Sequence, residues 1–418
     1  MLDIVFKQAW IVDGDKVVVQ DVGVRGTKIE LVSPTISKEA KKEFDCTGLY
    51  LLPGAIDIHV HLREPGMTHK EDIETGTRAA VLSGVTTCFD MPNTIPPTTT
   101  FERFLEKVAI AKEKAWSDVK FYMALSADDN LKEIEKASKH EAFAGVKVFL
   151  GSTTGSLLLD NINLLEKAVQ EIDALFAFHS EVESQILHPT QDDMDVAWHH
   201  ILRPTQAVVE GLSLILGLAK KSSGRLHVCH VSSKDEVLTL KESSVPNLSA
   251  EVTPHHLTFT CEDAKRLGNL LKVNPPLRTK EDIDALLSAL REGVFSAIAS
   301  DHAPHLLEEK ALPYRNAPSG VPGLDTIVPF TLHLVQENII TLPQAQYLLS
   351  TGPAKISCLE NKGLVAEGYD ADLILCDIQK LWHVNNQDIL SKCGWSPFAS
   401  ALCAKPAKVF FMGREVSP

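Results

Sequence analysis

From about Leu52 to Leu359 the chain alternates short apolar runs with longer stretches in which apolar residues recur every three or four positions. The first pattern reads as strand, the second as amphipathic helix. Candidate strands are Ala55–His61, Val85–Met91, Val119–Ala124, Gly145–Leu150, Leu175–His179, Leu226–His230, Leu248–Thr253 and Phe295–Ser300. Helices are predicted between them over Glu71–Leu82, Phe101–Ala115, Asn130–His140, Asn163–Ile172, Thr205–Ser222 and Lys234–Lys241. Ser233-Lys-Asp-Glu236 is a capping box opening the last of these. Eight strands with intervening helices predict an α/β fold, a (β/α)8 TIM-like barrel whose active groups gather at the C-terminal strand ends. A doubly wound sheet is the alternative, but no GxGxxG follows an early strand.

The two ends of the chain are patterned differently. Ile4–Lys7, Lys16–Val24 and Lys28–Ser33 are short strand-like runs with turns at Asp13-Gly14-Asp15 and Arg25-Gly26-Thr27. Gly363–Val365, Ala371–Cys376 and Lys408–Met412 repeat the pattern near the other end. Both termini are therefore expected to build one small β-sandwich domain, residues 1–52 and 360–418, around a barrel of residues 53–359.

Composition narrows the function. The net charge is −14 over 418 residues, which disfavours nucleic-acid and anionic-membrane partners, since both want a basic face. No apolar run approaches the ~20 residues of a membrane span. The eight cysteines contain no CxxC pair, so a zinc ribbon, a thioredoxin-type motif and a disulfide framework are not expected. The N-terminus lacks the apolar stretch of a signal peptide. A cytoplasmic protein is the expectation.

The unusual polar residues fall at strand ends. His59 and His61 close the first strand, and residues two apart point to one side. Lys147 interrupts the apolar run Gly145–Leu150, where an unpaired ammonium would be costly. His179, His230 and Asp301 end the fifth, sixth and eighth strands. Four imidazoles and a carboxylate suit divalent ions such as zinc. Lys147 could join them as the carbamate formed with CO2, an anion able to bridge two cations and leave a hydroxide between them as nucleophile. The other histidines (His69, His140, His188, His199, His200, His227, His333, His383) are read as structural, with His227 pointing away from His230 by strand parity.

Asp57-Ile-His-Val-His-Leu-Arg-Glu-Pro-Gly66 resembles the signature of the dihydroorotase family. Met91-Pro-Asn-Thr94, Gly145-Val-Lys-Val-Phe149, Thr253-Pro-His-His256, Val273-Asn-Pro-Pro-Leu-Arg278 and Ala299-Ser-Asp-His-Ala-Pro-His305 resemble it too, in order along the barrel. The resemblance implies His59, His61 and Asp301 on one metal, His179 and His230 on the other, and Lys147 bridging as the carbamate. It implies the reversible cyclisation of N-carbamoyl-L-aspartate to L-dihydroorotate in pyrimidine synthesis, with Asp301 as the proton shuttle. Arg63, Asn93 and His305 would hold the substrate carboxylate, and Asn274 the ring. Some bacterial members bridge their metals with an aspartate after strand four. Here no acid precedes Asp160, which keeps Lys147 as the bridge. Thr153 and Thr154, in the Gly151–Gly155 loop, are candidates to close over the substrate.

Two rivals stand beside this reading. Allantoinases and hydantoinases or dihydropyrimidinases share the metal ligands, but their substrates lack the ring carboxylate that would answer Arg63. An inactive scaffold relative is the other, and it is disfavoured because every ligand position is filled. A homodimer, or association with other pyrimidine enzymes, is left open.

Overall fold

The computed structural model describes residues 1–152, 157–188, 194–398 and 400–417. Eight parallel strands run in sequence order around one sheet: β1 (Ala55–Val60), β2 (Val85–Asp90), β3 (Asp118–Ala124), β4 (Phe143–Phe149), β5 (Leu175–His179), β6 (Arg225–Val228), β7 (Leu248–Val252) and β8 (Ala297–Ile298). The first and last close on each other through a bridge between Val60 and His302 and the bond from His61 N–H to the His302 carbonyl at 2.8 Å. The α/β barrel expected from the pattern is present.

Alternation along the strands sorts side chains into two layers. Val146, Val148, Phe176 and Phe178 join the apolar shell beneath the helices, whereas Leu175 and Ala177 belong to a separate inner cluster. Burying each large side chain of that shell is worth about 1.5–3 kcal/mol. The helices start where local chemistry allows. Asp72 and Thr75 form a capping box at Ile73–Leu82, as do Ser233 and Glu236 at Lys234–Glu242.

The structure also adds and trims elements. Helix Lys280–Arg291, capped by Thr279 and Asp282, was not resolved by the periodicity. β6 stops at Val228 and β8 spans two residues, so His230 and Asp301 lie beyond the strands proper. Gly363–Val365 forms no strand. Its Val365 instead packs into the core of the terminal sheet.

That sheet interleaves both ends of the chain. Tyr50–Pro53 pairs antiparallel with Leu373–Cys376, placing Pro53 opposite Leu373. The long strand Leu2–Asp13 breaks register between Phe6 and Ala9, where Gln8 has φ +56°. A bulge of this kind bends a strand. Its first half thus pairs with Ala40–Asp45 and its second half meets Tyr50. Phe6 and Phe410, from opposite ends of the chain, meet edge to face at 4.8 Å in the core.

Candidate metal centre and active site

The C-terminal strand ends open into a cavity lined by His59, His61, Arg63, Asn93, Lys147, His179, His230, Asn274 and Asp301. His305 lies immediately behind Arg63, its Nε2 3.1 Å from the guanidinium. The metal-ligand and substrate-contact candidates therefore converge at one mouth, with His305 just behind it. Arg63, His230 and Asp301 have φ of +63°, +39° and +44°. Such backbone is uncommon outside glycine and collects at functional sites. Gly66 has φ +92°, and a Cβ there would stand 2.0 Å from the Ile95 carbonyl oxygen, so the turn beyond Arg63 requires glycine.

The imidazoles are oriented from behind. His59 Nδ1 donates to Glu251 at 2.5 Å and His61 Nδ1 to the Asn93 side-chain oxygen at 2.6 Å. With the protons there, each Nε2 presents a lone pair, and both face Asp301 Oδ1, at 3.3 and 3.1 Å. Acceptors that close repel unless a positive charge lies between them. His179 repeats the device: Nε2 donates to Glu181 at 2.9 Å, and Nδ1 faces His230 Nε2 at 3.1 Å. Carboxylate or amide partners behind inward-facing imidazoles are the usual second layer of a metal site. His230 Nδ1 is buried without a partner. Donor atoms of His59, His230 and Asp301 lie within 4.8 Å of one another. The residues present fit divalent ions.

The charges are finely opposed. Burial and Lys147 disfavour a charged His59, but the Asp301 and Glu251 carboxylates overcome both and raise it to about 10, so a proton on Nε2 supplies the positive charge that the contact with Asp301 needs where a metal ion does not. Burial, reinforced by Arg63 and His59, brings His61 down to about 4. Burial also opposes ionisation of Asp301, yet His59 and His61 hold it well below the usual carboxylate range. Lys147 is 1% exposed, and its Nζ contacts the Cys229 thiol at 3.0 Å and the face of Phe149. Neither the thiol nor the ring carries a formal negative charge to balance a buried ammonium.

Several residues at the site were not visible as such in the sequence. Glu251 lies inside the apolar run of β7, the same signal that marks Lys147. It also accepts from His227 Nε2 at 2.9 Å. His227 is thus a support of His59 through a shared carboxylate, and the parity argument fails because the strand ends before His230. His199, read as structural, donates from Nε2 to the Val273 carbonyl and the Asn274 side-chain oxygen at 2.8 and 2.9 Å, so it fixes the amide of Asn274. Asn93 likewise has its oxygen engaged by His61, whatever its amide offers to a ligand. Thr153 and Thr154 lie outside the described residues.

Glu181 carries a second load. Arg203 Nε and Nη2 reach its two oxygens at 3.0 and 2.7 Å in a buried bidentate pair. Glu181→Ala leaves a buried guanidinium without its partner and is expected to cost about 3–5 kcal/mol of stability, read from urea unfolding at saturating metal. A change below about 1 kcal/mol would mean that the pair carries no such load.

The amidohydrolase family model matches residues 50–416, the whole barrel with the strand Tyr50–Pro53 and the C-terminal strands. The chain belongs to the amidohydrolase family. Curated relatives of this amidohydrolase include a dihydroorotase of Methanosarcina acetivorans, 38% identical, covering 85% of this chain and 79% of that protein. A Bacillus cereus dihydroorotase is 35% identical, with 93% and 91% covered. Among solved structures, an L-hydantoinase from Arthrobacter aurescens superposes with a TM-score of 0.91 at 28% identity, covering 100% of this chain and 96% of that one. The barrel with its terminal β-domain is thus shared with the solved L-hydantoinase.

Proposed function

We propose that the protein is a dihydroorotase, the activity for which its curated relatives are named, interconverting N-carbamoyl-L-aspartate and L-dihydroorotate. The observation that carries the substrate is Arg63. It is 2% exposed, its Nε donates to the Pro304 carbonyl at 3.3 Å, and its Nη1 is buried without a partner. Burial brings its guanidinium down to about 10 despite Asp301 and Asp90. A guanidinium aimed into the cavity without its counter-charge fits a ligand carboxylate, which it grips through a planar fork. Neutral rings of the hydantoin or dihydrouracil kind leave that fork unanswered.

His59, His61 and Asp301 would hold one ion, His179 and His230 the other, with Lys147 as the bridging carbamate. Zinc suits this imidazole-rich donor set, and two such ions would supply Lewis acidity toward a carbonyl oxygen and ease deprotonation of water near neutral pH. Arg63 and His305 place the ring by its carboxylate, and Asn274, held by His199, faces the ring. In the hydrolytic direction water adds to the ring amide carbonyl. Asp301 receives the water's proton, the C–N bond breaks, and Asp301 returns that proton to the departing nitrogen. Ring closure runs the same steps in reverse.

The test is turnover of L-dihydroorotate beside allantoin and dihydrouracil, with metal analysis on the same sample. Preference for dihydroorotate with close to two metals per chain is expected, and chelation should remove the activity. Preference for a neutral ring would keep the metal centre and assign the protein to the hydantoinase side of the family.

A further inference from the structure

Two lysines next to the Arg63 site are buried without an acid to answer them among the described residues. Lys310 is 2% exposed and Lys272 8%. Lys310 Nζ donates to the carbonyl oxygens of Lys272, Pro318 and Gly320 at 3.1, 3.0 and 2.8 Å. Lys272 Nζ donates to those of Tyr314 and Ala317 at 2.7 and 2.6 Å and stands 4.4 Å from the Tyr314 ring centroid. Their hydrogen bonds are in order, but their charge is not balanced. Among the described residues, the charged groups that bear on Lys272 and Lys310 are Arg203, Lys272 and Arg63, all cations. Burial and Arg203 bring Lys272 down to about 8, and Lys310 is also well below its ordinary range. An ammonium buried without a counter-charge is costly, and the five carbonyl contacts, which an apolar side chain would leave without donors, offset part of that cost.

The carbonyls these lysines grip lead straight to the carboxylate site. Gly320 N–H donates at 2.9 Å to the Lys272 carbonyl that also accepts from Lys310. Ser319 offers its carbonyl to His305 Nε2 at 3.1 Å. Gly320 has φ +139°, and a Cβ there would stand 2.6 Å from the Ala303 oxygen and 3.2 Å from His305 Cδ2. The segment is therefore held flat against His305. Lys70, on His305 Nδ1 at 3.1 Å, is already answered by Glu309 at 3.0 Å. Of the other carboxylates acting on Arg63, Asp301 is committed to His59 and His61, and Asp90 to Lys107. Three carbonyl acceptors use all three N–H bonds of a Lys310 ammonium, so Lys310, Lys272 and Arg63 form a cationic group near the mouth with no ion-pair partner among the described residues, in a chain whose net charge is −14.

We infer that Lys272 and Lys310 are positioning residues that set the preference for a carboxylate-bearing substrate. They lock Ser319–Gly320 against His305 and hold the mouth at positive potential, so that the substrate's carboxylate on Arg63 completes the charge balance. This rests on the reading of Arg63 as the carboxylate's partner.

The experiment compares L-dihydroorotate with its methyl ester, which keeps the ring and loses the charge, in wild type, Lys310→Met, Lys272→Met and Lys272→Arg. Either methionine variant is expected to raise KM for dihydroorotate about tenfold with a smaller change in kcat. The ester's inhibition constant should stay within about twofold, and Lys272→Arg should recover most of the loss. Parallel weakening of acid and ester marks a loop-packing role and overturns the inference, as does no change in either. If Lys310→Met does not fold, Lys272→Met carries the same comparison. Wild type that fails to turn over dihydroorotate refutes the proposed function before any variant is made, and the inference falls with it.

Discussion

Asp301→Asn is expected to lower kcat by about 10³-fold or more while leaving metal content close to that of wild type. General acid–base groups contribute about 10²–10⁴-fold, and in the proposed reaction this one would be used twice in each turnover. Its Oδ1 lies 3.1 Å from His61 Nε2 and 3.3 Å from His59 Nε2, the position from which one carboxylate can reach both the attacking water and the departing nitrogen. Asparagine keeps the shape and an oxygen donor but cannot receive a proton. The four imidazoles and Lys147 remain to hold the ions. Steady-state kinetics with metal analysis on the same sample separates the outcomes. Substantial turnover by the variant would take Asp301 out of the proton path, whereas loss of metal alongside activity would make it a ligand first.

Arg63→Met should raise KM for dihydroorotate about a hundredfold with a smaller fall in kcat. Truncating one partner of a buried charged contact costs about 2–5 kcal/mol, and 1.4 kcal/mol is about tenfold. The free protein should respond in the opposite sense. Without ligand the guanidinium is a buried cation with an unpartnered Nη1, so methionine is expected to leave the unfolding midpoint unchanged or raise it. A residue that weakens binding yet strengthens the fold when replaced is serving the ligand. An unchanged KM would remove Arg63 from the carboxylate site.

The barrel was legible because β4 and β5 are apolar on both faces, with Lys147 and His179 as the exceptions that mark the mouth. His59 and His61 could be paired from strand alternation alone. His227 could not be placed, because alternation holds only within a strand and β6 ends at Val228. Glu181 and Glu251 act through histidines that are two and 192 residues away in sequence. The first lies beside its histidine, and the second is brought there only by barrel closure. Ala40–Asp45 is half-exposed and polar at the sheet's edge, so it shows no apolar alternation. Lys272 and Lys310 look like surface lysines in sequence, since their carbonyl partners come from a loop without regular structure.

The pairing of Pro53 with Leu373 has a consequence for biosynthesis. On the ribosome, the N-terminal strands emerge first, and Tyr50–Pro53 has no antiparallel neighbour until some 320 further residues have been made. Until then it is an open strand edge of the kind that recruits other chains. The barrel can assemble in the meantime, strand upon neighbouring strand, but the small domain is sealed last. A nascent chain stalled between the two halves would present a formed metal mouth and an unguarded edge, so aggregation, more than loss of chemistry, is the hazard built into this topology.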